Sequence, residues 1–237
     1  MLQQTPGKIF LADERGLAES DRFRRYSTFS FGEFAHPHKG PFGRLYGCNE
    51  ETLAGGHTVA FTVAEASYLL LVPLTGAVRV SWGEPASTLA AEEALLLAVP
   101  AGTVLQVSNP FAGELVHFLH LWLLADAPVA AVAAHPAAFD LGAQPNALLA
   151  LVPPFAPPRP VRVHLGRFAG RYETTYRPQH PGADVFLFVL AGAFEAEGRL
   201  LHEKDGLALW NATEIELEAL SNDAIVLLLE LEPAKHG

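Results

Sequence analysis

Short apolar or alternating runs, each closed by Gly, Pro or Asn, follow one another along nearly the whole chain. They include Thr58–Val63, Tyr68–Leu74, Ala77–Trp82, Ala94–Val99, Val104–Ser108 and Leu115–Leu124, then Val161–Phe168, Val185–Leu190, Gly206–Trp210, Glu214–Leu220 and Ile225–Leu231. A period of two puts alternate side chains on one face of a strand, whereas a helix needs a period near 3.6. Many short strands with regular turn signals predict an all-β sandwich or barrel. The one helical candidate is the Ala-rich stretch Pro128–Ala138, a short connector bounded by Pro128 and Pro136. Pro153, Pro154, Pro157, Pro158 and Pro160 then read as a semi-rigid joint. The expected organisation is a first lobe over 1–127, a connector over 128–160 and a second lobe over 161–237.

Composition narrows the function classes. Half of the 237 residues are hydrophobic, enough for a sizeable core. The single cysteine, Cys48, excludes an internal disulfide framework and a thiolate zinc site, so a reducing compartment, the cytoplasm, is expected. A net charge of −10 argues against nucleic acid as a partner. The segment MLQQTPGKIF does not read as a signal peptide. The longest apolar stretch, 115–139, is broken by His117, His120 and Asp126, so no membrane span is expected. No G-x-S-x-G elbow or phosphate-cradling glycine loop is present, and Cys48 reads as a small buried hydrophobe.

The stretches YLLLVPLTGAVRV and VFLFVLAGAFEA, turning at Gly76 and Gly192, are alike, as two copies of one β unit would be. Residues 100–109, PAGTVLQVSN, resemble the second cupin signature, P-x-G-x2-H-x3-N, at Pro100, Gly102 and Asn109, with Leu105 in the histidine slot. The first signature can be laid between Gly56 and Gly76. Its histidine slots then hold Thr62 and Ala64, and its glutamate slot falls on Tyr68 or Leu69. DRFRRYSTFSFGEF, ELVHFLHLWL and VRVHLGRFAG resemble, in turn, the TFSF segment, the late Q-x-W strand and the second-lobe opening of the pirin family.

That resemblance, over about residues 8–232, implies a bicupin: two double-stranded β-helix barrels of jelly-roll type in one chain. Pirins bind iron or another divalent metal in the N-terminal lobe through three His and one Glu. Some are similar to quercetin 2,3-dioxygenases and others are described as regulators. Carried over, the ligand positions fall on Thr62, Ala64, Leu105 and Val107. None of these is a ligand, whereas an open metal site needs about three donors. Strand alternation predicts that 62, 64, 105 and 107 face one side, leaving a pocket lined in apolar form with Tyr68, His120 and Trp122.

The string His36-Pro37-His38-Lys39 resembles the family's metal motif, but its Gly- and Pro-rich setting reads as a surface loop. A relocated metal site from His57, His120 and Glu65 is the alternative, with satisfied core or rim histidines favoured. The second lobe, with His164, Tyr172, Glu173, Tyr176 and His180 at strand ends and Leu209 in its histidine slot, is expected to be metal-free. No catalytic residue is assigned. The favoured reading is a catalytically silent small-molecule-binding or regulatory protein with no cofactor, which takes an apolar small molecule or a protein partner. The alternatives are a dioxygenase with iron or another divalent metal on relocated ligands, and a structural interaction module.

Overall fold

The computed structural model describes residues 5–82, 86–130, 136–151, 161–180 and 182–231, and among these the only helical turn is a 3-10 turn at Ala12–Glu14. The rest is strand and turn, arranged as two compact units.

The N-terminal barrel comprises the described residues between 15 and 139. Its large sheet runs in the order Ala137–Ala138, Glu93–Val99, Ser67–Thr75, Val116–Leu124, Leu45–Leu53, Phe23–Ser27, Gly16–Ser20. A smaller sheet runs Thr58–Thr62, Val104–Ser108, Ala77–Ser81, Ser87–Ala90. Both are antiparallel, so each strand presents alternate side chains to the interior. Leu53, Leu69, Leu71, Leu95 and Leu97 of the large sheet there meet Phe61, Val78, Val80, Leu105 and Val107 of the small one. Each such side chain contributes about 1.5–3 kcal/mol on burial, which makes this layer the main source of the barrel's stability.

The motif glycine and asparagine positions have structural work. Gly76 turns the chain at φ 76°, and a Cβ there would lie 2.9 Å from Val116 Cγ1. The Asn109 side chain donates to the carbonyls of Leu53 and Glu114, at 3.0 and 2.7 Å, and accepts the Phe111 N–H at 2.9 Å. Any residue that cannot both donate and accept there leaves buried backbone groups unpaired.

The C-terminal barrel is built likewise. Its large sheet runs Gly7–Phe10, Gly206–Ala212, Ala183–Ala191, Ala224–Leu231, Val161–Phe168, Ala147–Leu151, and its small sheet Glu173–Tyr176, Ile215–Ala219, Phe194–Ala196, Arg199–Leu201. Ala183–Ala191 holds the place that Ser67–Thr75 holds in the other barrel, and Gly192 turns at φ 74°, so the repeat seen in sequence is a repeat of position.

The units divide the chain differently from the boundaries 1–127, 128–160 and 161–237. Gly7–Phe10 pairs with Gly206–Ala212 and Ala147–Leu151 pairs with Val161–Phe168, so both belong to the C-terminal barrel. Ala137–Ala138 is a strand against Glu93–Val99 where the sequence predicts the end of a connector helix. Residues 131–135 of that helix, and the proline joint at 153–160, lie outside the described residues.

Candidate functional site

A pocket of about 510 Å³ opens on the N-terminal barrel, its walls including Arg25, Phe31, Tyr46, Phe61, Thr62 and Trp122. Phe31 sits among the other rings. It stacks on Tyr46 at 6.4 Å, meets Phe61 edge-on at 6.4 Å and lies 6.2 Å from Trp122. Trp122 can lie flat over the neighbouring strand because Gly47, directly opposite it, has no side chain; a Cβ there would be 2.9 Å from the indole. The Tyr46 hydroxyl is 3.0 Å from Ser67 Oγ, which itself donates to the Glu65 carbonyl, so the phenol is the donor of that pair. Burial pushes the Tyr46 phenol above its ordinary value.

Behind the pocket runs a chain of buried polar groups. Trp122 donates its indole N–H to His120 Nδ1 at 2.8 Å, and His120 Nε2 lies 2.6 Å from Glu51 Oε2. Arg25 closes the chain with Nη2 2.9 Å from Oε1 and Nε 3.2 Å from Oε2. The Arg25 guanidinium also lies over the rings of Phe23, Phe31 and Phe61 at 5.0 to 5.4 Å. His120 and Glu51 are 1% and 0% exposed. Burial alone would raise the Glu51 carboxyl, but the hydrogen bonds and charges of His120 and Arg25 outweigh it and hold it below the usual carboxylate range. Burial pushes the His120 imidazole down; Glu51 opposes this and Arg25 adds to it, leaving it below the ordinary histidine value. The imidazole is therefore neutral near pH 7, with its proton on Nε2, because an indole N–H can only donate.

The structure puts some of the residues expected at the pocket on its walls and others elsewhere. Trp122 lines the pocket and His120 stands behind it. Thr62 and Ala64 also line it, but they are exposed at its rim. Leu105 and Val107 are instead fully buried in the core. The expectation that these four share a face is corrected by the register. Leu105 pairs with Phe61 and Val104 with Thr62, so Phe61 and Val63 point inward with Leu105 and Val107, while Thr62 and Ala64 point out. Tyr68 pairs with Leu123 while Leu69 pairs with Trp122, so Tyr68 lies on the face away from the pocket.

The residues present do not fit the metal that the resemblance implies. Leu105, Val107, Phe61 and Val63 carry no donor atom. His120 has both ring nitrogens engaged, which leaves no lone pair for the relocated set with His57 and Glu65. His36 and His38 are exposed, with ring centres 5.7 Å apart and the His38 N–H on His36 Nδ1. Among the described residues, no group of three or more His, Cys, Asp or Glu is placed to hold a metal ion.

Sequence reasoning misses Arg25, Phe31, Glu51 and Phe61. Glu51 and Cys48 lie on Leu45–Leu53, a central strand whose polar residues Asn49, Glu50 and Glu51 are all buried, so it shows no alternation. The legible signal was the pair of glutamates inside LYGCNEETL, close after the arginines of FRRYS, which faces it in the sheet.

In the C-terminal barrel, Glu230, also missed, is 1% exposed. It accepts the Tyr176 hydroxyl at 2.6 Å and the N–H groups of Gln179 and His180 at 3.1 Å. His164 meets the Tyr176 ring edge-on at 4.9 Å. Burial, then Glu230, pushes the Tyr176 phenol strongly up. Tyr172 is 41% exposed, and Glu173 lies opposite Glu218 on an acidic sheet face, away from this cluster.

Residues 159–231 match the family model of the quercetinase C-terminal cupin domain. The fold is similar to that of YhhW from Escherichia coli, at 20% identity, with a TM-score of 0.84 over 98% of this chain and 100% of that one. The nickel(II) complex of the same bacterial pirin gives 0.83 over 97% and 100%, again at 20% identity. A quercetin 2,3-dioxygenase from Acinetobacter baumannii gives 0.73 at 15% identity, over 98% and 88%. No curated protein matches the chain in sequence. Among the described residues, no helix is long and apolar enough to cross a membrane.

Proposed function

The chain is a bicupin of the pirin type in fold, and on that premise we propose that its N-terminal barrel is a binding module for a planar, largely apolar small molecule and not a seat of metal-dependent catalysis. The observation that carries this reading is the aromatic pocket of Phe31, Tyr46, Phe61 and Trp122, set over an interior whose inward strand positions, among them Val63, Leu105 and Val107, are hydrocarbon. Rings offered at 5 to 6.5 Å spacing suit a flat partner, and the Arg25 guanidinium offers a polar contact at the inner wall. Against the oxygenase reading stands the donor set, in which His120 is already committed to Trp122 and Glu51.

Two measurements test this. Untagged protein exposed to iron(II), nickel(II) or manganese(II) and then desalted is expected to retain far less than one metal per chain; near-stoichiometric metal overturns the proposal. A thermal-shift screen of planar aromatic compounds is expected to yield hits. A ligand at one hundred times its Kd adds about 2.7 kcal/mol to native-state stability. Phe31→Leu is expected to abolish those shifts. A screen with no hits moves the reading to a protein-interaction module.

A further inference from the structure

Arg25 and Trp122 both line the pocket, whereas Glu51 and His120, which tie them together, do not. The pocket wall therefore depends on the state of a histidine it does not expose. His120 is faced by Asn49 and Glu51 from Leu45–Leu53, Arg25 from Phe23–Ser27, Leu71 from Ser67–Thr75, the rings of Phe31 and Phe61, and Phe118 on its own strand. Only Glu51 and Arg25 among these carry charge.

A neutral imidazole has one donor and one acceptor, and both are used, by Glu51 and by the Trp122 indole. A protonated imidazole has two donors and no acceptor. It keeps Glu51, but its Nδ1–H and the indole N–H then point hydrogen at hydrogen, so the Trp122 contact cannot survive. A second partner stands ready. Asn49 lies directly across the strand pair from His120, is 0% exposed, and has no hydrogen-bond partner on either amide atom. Directly opposed side chains have Cβ atoms about 4.5–5.5 Å apart, within reach of a ring tilt. A buried amide with nothing to bond is costly, which favours the exchange once a proton arrives.

We propose that His120 is a proton-operated latch on the pocket wall: its protonation on Nδ1 trades the Trp122 indole for the Asn49 amide oxygen and releases Trp122 from the position that shapes the pocket. This rests on the reading that the pocket binds a planar aromatic molecule. Burial opposes protonation more than Glu51 favours it, so the latch works below the ordinary histidine range. A ligand packed on Trp122 selects the neutral form, and by linkage the ligand in turn resists protonation.

The test is a pH titration of ¹⁵N-labelled protein from 8 to 4.5, following the His120 ring nitrogens and the Trp122 indole N–H, the latter identified by its loss in Trp122→Phe. The two are expected to titrate with one midpoint, and Asn49→Leu is expected to move that midpoint to lower pH. In His120→Gln the indole resonance is expected to be flat. 2-Naphthol, uncharged across this range, is the calorimetric probe. Its Kd is expected to rise as pH falls through the midpoint of that titration, by up to roughly tenfold, the worth of one hydrogen bond, and to stay constant in His120→Gln. An indole resonance that ignores the His120 titration overturns the latch, as does equal 2-naphthol affinity on the two sides of the His120 midpoint. If 2-naphthol fails to bind at any pH while the indole follows His120, the latch stands and the pocket reading falls.

Discussion

Glu51 in the N-terminal barrel and Glu230 in the C-terminal barrel are both sealed carboxylates on long central strands, and the two barrels hold them by different means. Glu51 is met by a guanidinium and an imidazole, and through them connects two walls of a pocket. Glu230 is met mainly by neutral donors, a phenol and two backbone amides, with Arg162 only at 3.9 Å. The first arrangement joins side chain to side chain, from Arg25 through Glu51 and His120 to Trp122. The second fastens, because its donors belong to the segment 176–180, which it ties to Ala224–Leu231. A buried carboxylate thus stands behind a pocket wall in one barrel and acts as a clamp in the other.

The comparison can be broken most directly at Glu51. Glu51→Leu leaves the largely buried Arg25 without its counter-charge and His120 without its acceptor, and is expected to cost about 3–5 kcal/mol in urea unfolding. A loss below 1 kcal/mol would mean the chain is not a unit. Tyr176→Phe removes one hydrogen bond to a carboxylate and should cost about 1.5–3 kcal/mol. It is expected to leave binding at the aromatic pocket unchanged, and altered binding would erase the contrast between the barrels.

Acid should act in two stages. His120 is depressed in the folded state, so the unfolded chain takes up more protons once pH falls below the ordinary histidine value, and stability declines from there down through the folded value. Glu51 is depressed too; its contribution is complete above the ordinary carboxylate range and lost as pH falls through its folded value. Urea midpoints at pH 8, 5.5 and 4 should therefore fall in sequence, and His120→Gln should shrink the first step and leave the part due to His164, whose imidazole burial also holds below its ordinary value. The smallest effect is at the rim, where Thr62→Val should change stability by no more than about 0.5 kcal/mol. A larger loss would restore Thr62 to the interior and overturn the register argument.

Much of the fold was legible because amphipathic strands write their period into the sequence. Val104–Ser108, Val161–Phe168 and Ala224–Leu231 lie within a residue of their expected bounds. Leu45–Leu53 was not legible, because buried residues on both faces abolish the alternation. The site suffered from the same cause. His120 and Trp122 sat on a readable strand, whereas Glu51 sat on an unreadable one. Thr62 and Ala64 were assigned inward by motif spacing alone, and a shift of one residue in a strand exchanges its faces.

The pairing of Gly7–Phe10 with Gly206–Ala212 has a consequence in time. About two hundred residues separate the partners, and at 5–20 residues per second the ribosome takes roughly 10–40 s to supply the second after the first. During that interval the early strand has no sheet to join. Ile9 and Phe10, at its inner end, are then apolar side chains without the sheet that they join in the finished barrel. Yield in cells should respond to the charge placed just ahead of residue 7 more than the stability of the finished protein does.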